Sequence, residues 1–109
     1  MICSQWDVVT PPFPFTDKPA AKKRPTLVLN NIVFNRNGHT ILAMITTKVH
    51  RQWPGDSDIE EYSAAGLNLQ CQVRLKMFTL DNRLLLKKIG RLSENDSEKV
   101  KKHIHHYFS

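Results

Sequence analysis

The sequence is short of cysteine, of acidic charge and of long apolar runs, and each shortage excludes something. Two cysteines, Cys3 and Cys71, make neither a disulfide framework nor a zinc knuckle, so a reducing compartment is expected, by default the cytoplasm. No apolar run approaches the roughly 20 residues of a membrane-spanning helix, and no basic segment precedes a hydrophobic stretch at the N-terminus; neither membrane insertion nor export is expected. There is no internal repeat and no linker, and 109 residues fit one domain over residues 1–109 with one modest core. Hydrophobic residues at 40% and charged residues at 24% exclude disorder and low complexity. The deficit of acid leaves 16 Lys and Arg against 10 Asp and Glu, a formal charge of +6, which favours an anionic partner, nucleic acid or an acidic protein. Residues 1–58 hold 7 basic and 4 acidic side chains and residues 59–109 hold 9 and 6. Each half thus carries +3, and the total does not locate a site.

Local patterns predict short strands. Residues 6–10 are β-prone and stopped by Pro11-Pro12. Residues 26–29 begin after Pro25, where proline opens a strand without costing a ladder hydrogen bond. Residues 40–47 are apolar enough to be buried on both faces, and Asn35-Arg36-Asn37-Gly38 before them supplies hairpin chemistry. Residues 59–62 read as a further short strand, Ala65-Gly66 as a turn, and residues 72–76 as an exposed edge strand. Residues 84–86 and 88–92 are apolar pieces around a basic pair. Ser93 with Asp96 makes a capping box, and Val100, Ile104 and Phe108 recur at helical spacing, which predicts an amphipathic helix from Glu94 to Tyr107. The expected fold is mainly β with a C-terminal helix, a small curled barrel or sandwich.

The stretch Trp6-Asp7-Val8-Val9-Thr10-Pro11-Pro12-Phe13-Pro14-Phe15-Thr16-Asp17, followed by Lys23-Arg24-Pro25-Thr26-Leu27-Val28-Leu29, resembles the opening of the PemK/MazF family of mRNA-cleaving toxins from bacterial toxin–antitoxin pairs. The usual pattern there opens Gly-Asp-Val-Val, continues with a Pro-Phe-Pro-Phe-Thr-Asp loop, and then reads Lys-x-Arg-Pro-Ala-Leu-Val-Leu. Ala43-Met44-Ile45-Thr46-Thr47, Ala65-Gly66-Leu67, Phe78-Thr79-Leu80-Asp81 and Lys88-Ile89-Gly90-Arg91-Leu92-Ser93 match in order over nearly the whole chain. The resemblance implies a small SH3-like β-barrel of the PemK/CcdB type with a C-terminal helix, a homodimer, an acidic antitoxin as partner and single-stranded RNA as substrate. It implies no cofactor and no metal. It also places the family's Arg and Ser/Thr pair on Arg24 and Thr46.

Those residue types suit RNA cleavage by the neighbouring 2′-OH. Arg24 stays charged at any working pH and offers a donor fork matched to phosphate oxygens, and Pro25 restricts it to extended backbone. Thr46 is a neutral hydroxyl donor. Phe13 and Phe15 alternate with prolines, and Lys22 and Lys23 follow with Lys18, the aromatic and cationic mixture of a single-strand groove. Trp53 with Arg51 repeats that combination and supplies an opposite wall, with Thr47 and Lys48 leading into it. A phenylalanine in such a loop also serves as a core anchor, and an Arg before Pro also serves as a surface charge.

The match to the family breaks at the general base. One branch of the family carries an Arg and a carboxylate two residues apart; here Arg74 fits as a phosphate contact, but Lys76 holds the carboxylate position. His50 and Asp17 are the remaining candidates for a base. Cys71 reads as a small buried residue, the Lys99, Lys101 and Lys102 group as the solvent face of the last helix, and His103, His105 and His106 as surface rather than a metal cluster. The departure near Arg74 keeps a second class open: a non-catalytic CcdB-like barrel that poisons DNA gyrase or only binds nucleic acid and antitoxin.

Overall fold

Four of the six strands carry apolar or β-branched side chains at adjacent positions, so both faces of the sheet must be covered. The computed structural model describes residues 1–11, 24–47 and 52–109. The strands are β1 (Asp7–Val9), β2 (Thr26–Val28), β3 (His39–Thr47), β4 (Ser57–Asp58), β5 (Cys71–Asp81) and β6 (Lys88–Arg91). Two helices join them, α1 (Ile32–Asn35) and α2 (Glu94–Tyr107). All pairings are antiparallel in the order β4-β5-β3-β2-β1-β6, a curled, half-barrel sheet. Val8, Leu27 and Ala43 point to one core, shared with Ile45, Val73 and Val100. Val9, Val28 and Leu42 point to a second core with Cys3, Leu80 and Leu85. Successive residues of a strand face opposite ways, so three-residue strands feed both cores at once.

The curl closes where the chain after β4 meets β6. The Arg91 amide donates to the Ala64 carbonyl at 3.2 Å, and the two backbones cross at Gly66 and Gly90. A Cβ on Gly90 would stand 2.3 Å from the Ala65 carbonyl carbon, and one on Gly66 would stand 2.0 Å from the Ile89 oxygen. The Ala65-Gly66 and Ile89-Gly90 motifs are therefore two halves of one crossing. β6 is also tied to β1 by Asp7, a buried residue only 3% exposed. Its carboxylate accepts from Lys88 and Arg91, both at 3.1 Å, and from the Ser4 amide at 2.8 Å.

Helix α2 has the predicted bounds, but two of its residues act differently from expectation. Ser93 caps it by accepting from the Asp96 amide at 3.1 Å. The Asp96 carboxylate reaches forward to the Glu60 and Glu61 amides at 3.1 and 2.9 Å, not back to complete a capping box. Lys99 lies against Asp96 at 3.2 Å and Glu60 at 3.4 Å and donates to the Asp58 carbonyl at 2.7 Å, so it staples the helix to β4 and does not decorate the solvent face. The apolar stripe ends at Ile104; Phe108 is exposed beyond the last turn.

Other expectations are corrected. Residues 59–62 form a turn and not a strand, because β4 stops at Asp58 and the chain leaves to make the crossing. The loop between β2 and β3 is not a tight Asn-Gly hairpin. It holds α1, and the Asn35 amide is buried, donating to the Cys3 and Asn30 carbonyls at 2.9 and 3.1 Å. Residues 72–76 are not an open edge: β5 lies between β3 and β4, and Gln72, Val73 and Leu75 are buried.

Two predictions follow from this scaffold. Gly90→Ala, which forces a methyl into backbone, lowers unfolding stability by about 3 kcal/mol in urea titration. Burial pushes the Asp96 carboxyl up, but the Glu61 and Glu60 amides and Lys99 outweigh it and hold the group below its ordinary value. Its stabilisation is present above the unfolded carboxylate range, about 4, and is lost as pH falls through the lower folded value. Asp96→Asn therefore flattens the acid limb of a stability–pH profile, and an unchanged limb contradicts the assignment.

Candidate nucleic-acid interface

The end of the β3–β5 ladder sets the site. Thr46 stands opposite Gln72 and Thr47 opposite Cys71, and β4 continues the row with Asp58 opposite Gln72. On the other side, Thr26 pairs with Met44, and the Ile45 amide still donates to the Pro25 carbonyl at 3.3 Å. That contact brings Arg24 to the same end. Arg24, Thr46, Thr47 and Cys71 line one depression of about 330 Å³. Arg24 is exposed and Thr46 half-buried, with the Thr46 hydroxyl donating to the Thr47 carbonyl at 3.2 Å.

A second feature lies beside it. Trp53-Pro54-Gly55-Asp56 makes a tight turn in which the Asp56 amide donates to the Trp53 carbonyl at 3.1 Å. Gly55 has φ +81°, as a type II turn with Pro at its second position requires. A Cβ on Gly55 would also stand 2.7 Å from Leu75 Cδ1. The Asp56 carboxylate accepts from the Trp53 amide at 2.9 Å and grips Arg74 through Nε at 3.2 Å and Nη2 at 3.1 Å. Arg74 lies 6.0 Å and Lys76 Nζ 5.4 Å from the Trp53 ring centre, within cation–π range. Lys76 reaches the ring because β5 carries two extra residues: register passes from Met44↔Arg74 to Ala43↔Met77, leaving Leu75 and Lys76 unmatched.

The structure thus brings Arg24, Thr46 and Thr47 together and sets Arg74 against Trp53. Phe13, Phe15, Asp17, Lys22 and Lys23 in residues 12–23, and Lys48, His50 and Arg51 in residues 48–51, lie outside the described residues. The carboxylate against Arg74 comes from Asp56, 18 residues earlier, and not from the strand neighbour that sequence spacing would favour. The Pro-Gly pair between Trp53 and Asp56 was its available signal. Asp81 is at the far end of β5, where it accepts from the Arg83 amide. The Arg83 side chain and amide hold its carboxyl down to about 2. Burial pushes the Cys71 thiol up, away from a reactive thiolate. His103 Nδ1 is 2.7 Å from the Ser57 hydroxyl, and among the described residues no group of three or more His, Cys, Asp or Glu could hold a metal ion. Nor is any described helix long and apolar enough to cross a membrane.

A family model described as PemK-like, MazF-like toxin of type II toxin–antitoxin system matches residues 4–108. The chain belongs to this toxin family. The toxin MazF-mt6 of Mycobacterium tuberculosis superposes with a TM-score of 0.73 at 22% identity, covering 94% of this chain and 95% of that one. MazF from Deinococcus radiodurans, solved with MazE, gives 0.76 at 17% identity, with 99% and 97% covered. A mycobacterial endoribonuclease solved with its cognate antitoxin gives 0.73 at 15% identity, with 98% and 93% covered. No curated protein matches the chain by sequence. At these identities the neighbours speak to the fold, and they agree with the six-stranded curled sheet and terminal helix of this PemK/MazF-like toxin.

The Asp56–Arg74 clamp is directly testable. Both side chains are largely shielded, so Asp56→Ala lowers stability by about 2 kcal/mol. It also loosens the turn that carries Trp53. Acrylamide quenching of Trp53 emission, measured in a Trp6→Phe background, rises in that variant.

Proposed function

We propose that this toxin is an endoribonuclease cleaving single-stranded RNA, with Arg24 and Thr46 stabilising the transition state. The observation that carries the reading is the shared depression lined by Arg24 and Thr46, beside an aromatic wall bearing Arg74 and Lys76. A 2′-OH loses its proton and attacks the adjacent phosphorus. The O2′–P bond forms, the P–O5′ bond breaks, and O5′ takes up a proton, leaving a 2′,3′-cyclic phosphate and a 5′-hydroxyl. The RNA supplies its own nucleophile, so the reaction needs no metal-bound water. Arg24 offers a permanent cation and a donor fork to the developing phosphorane charge, and the Thr46 hydroxyl adds a neutral donor. Arg74 is held by Asp56 through Nε and Nη2, which orients its cationic head beside the path of a flanking phosphate.

The proposed partners follow the family. A second copy forms a homodimer, and an acidic antitoxin binds over the basic, aromatic groove. Antitoxin-bound neighbours of the same fold support the latter.

The test is cleavage of a long mixed-sequence RNA in EDTA by antitoxin-free protein, with the ends mapped. Wild type yields 2′,3′-cyclic phosphate ends. Arg24→Ala and Thr46→Val each lower kcat by about 10²-fold or more with unchanged unfolding midpoints. Intact RNA, or full activity in Arg24→Ala, overturns the reading. Raising salt weakens RNA binding in proportion to the phosphates contacted, and a salt-independent Kd excludes the cationic groove.

A further inference from the structure

A larger depression, about 610 Å³, lies at the Asp58 end of the Thr46–Gln72–Asp58 row, walled by Trp53, Asp56, Asp58, Gln72, His103 and Tyr107. Gln72 is 5% exposed, yet its Nε2 has no hydrogen-bond partner. A buried primary amide without an acceptor is costly, and such exceptions call for a ligand or a functional reason. Gln72 lines the cavity wall, and rotation of its side chain turns the shielded amide toward an incoming acceptor. His103 is held by Ser57 at 2.7 Å and Trp53 by the clamp described above, so the walls are fixed before any ligand arrives. The occupant must be flat enough to lie against an indole and must bring a hydrogen-bond acceptor. It must also tolerate carboxylates, since the charged lining is Asp56 and Asp58; that disfavours phosphate and acidic peptide alike. The cations Arg74 and Lys76 line a neighbouring depression that shares Trp53, so phosphates and the uncharged part of a nucleotide have separate places.

We infer that this cavity is a nucleobase pocket in which Gln72 Nε2 donates to an acceptor on the base edge, making Gln72 a specificity-determining residue. The inference rests on the RNA-cleaving reading and extends it. Gln72 is registered with Thr46 on the neighbouring strand, one strand spacing of ~4.8 Å away, so the recognised base belongs to a nucleotide next to the cleaved bond. A base stacked on Trp53 adds sequence-tolerant affinity; the amide adds the choice among base edges.

Two measurements separate the pocket from the nuclease. In the first, the side-chain amide signals of Gln72, assigned by their loss in Gln72→Met, are followed by ¹H–¹⁵N spectroscopy. The full chain is titrated with uncleavable 2′-O-methyl hexamers of each base, with an abasic hexamer and with an acidic peptide. The expected result is a shift with one or more base-bearing hexamers and none with the abasic strand or peptide. No shift with any hexamer, an equal shift with the abasic strand, or a shift with the peptide alone overturns the pocket. In the second, cleavage sites of wild type and Gln72→Met are mapped on one RNA. Gln72→Met keeps cleaving but loses about tenfold of its discrimination at one position beside the cut, and it unfolds at higher urea than wild type because the orphan amide is gone. Cleavage with an unaltered sequence preference overturns the pocket and leaves the nuclease standing. Base-dependent shifts without any cleavage do the reverse.

Discussion

The arrangement of the site depends on the antiparallel ladder between β3 and β5. Its nine matched positions are the longest run of backbone pairing among the described residues, and Thr46, Gln72 and Arg74 take their places from that register. Thr46 beside Gln72, and Met44 beside Arg74, are consequences of pairing at the Thr47 end. The two extra residues in β5 then carry Lys76 to Trp53 without disturbing the core pairs beyond them, Leu42 with Phe78 and Thr40 with Leu80. Because side chains alternate with period two, a slip of one residue would send Thr46 and Gln72 to the other face. Burial of Ile45 and Val73 opposite one another penalises that slip strongly.

The sheet edges are held by a different kind of contact. Three-residue strands cannot bury much area alone, and the curl is closed by backbone crossing at two glycines and by two buried carboxylates. Asp7 gathers Lys88 and Arg91; Asp96 gathers two amides and Lys99. Three of the nine basic residues in the second half of the chain, Lys88, Arg91 and Lys99, are therefore engaged in closure. The cations at the depressions are Arg24, Arg74 and Lys76, from three separate places in sequence. This explains why a net charge of +6 announces an anionic partner without locating it.

One departure from the family pattern has a conformational meaning. Where the usual motif opens with glycine, this chain has Trp6, and its φ is +74°. The left-handed backbone that glycine adopts freely is kept here by a bulky residue, with its amide donating to the Val28 carbonyl at 2.8 Å and its carbonyl accepting from Leu92 at 3.0 Å. Hydrogen bonds on both sides and packing of the ring on the first core hold a conformation that costs an L-residue roughly 1–2 kcal/mol.

By itself, the sequence determined the class of fold, the bounds of the last helix and the family. These rest on local signals: proline at strand entrances, a serine cap with apolar spacing behind it, and short motifs in order. It also marked Arg24 and Thr46 through those motifs. Tertiary structure alone decided the rest. Asp56 reaches Arg74 across 18 residues, Lys99 turns inward to β4, Phe108 stays outside, and Gln72 is buried with its amide unsatisfied. Apart from the Pro-Gly turn beside Asp56, none of these has a periodic or short-range signature. Each depends on which strands become neighbours and where a bulge falls, and that is settled by burying two cores at once, not by any stretch of residues alone.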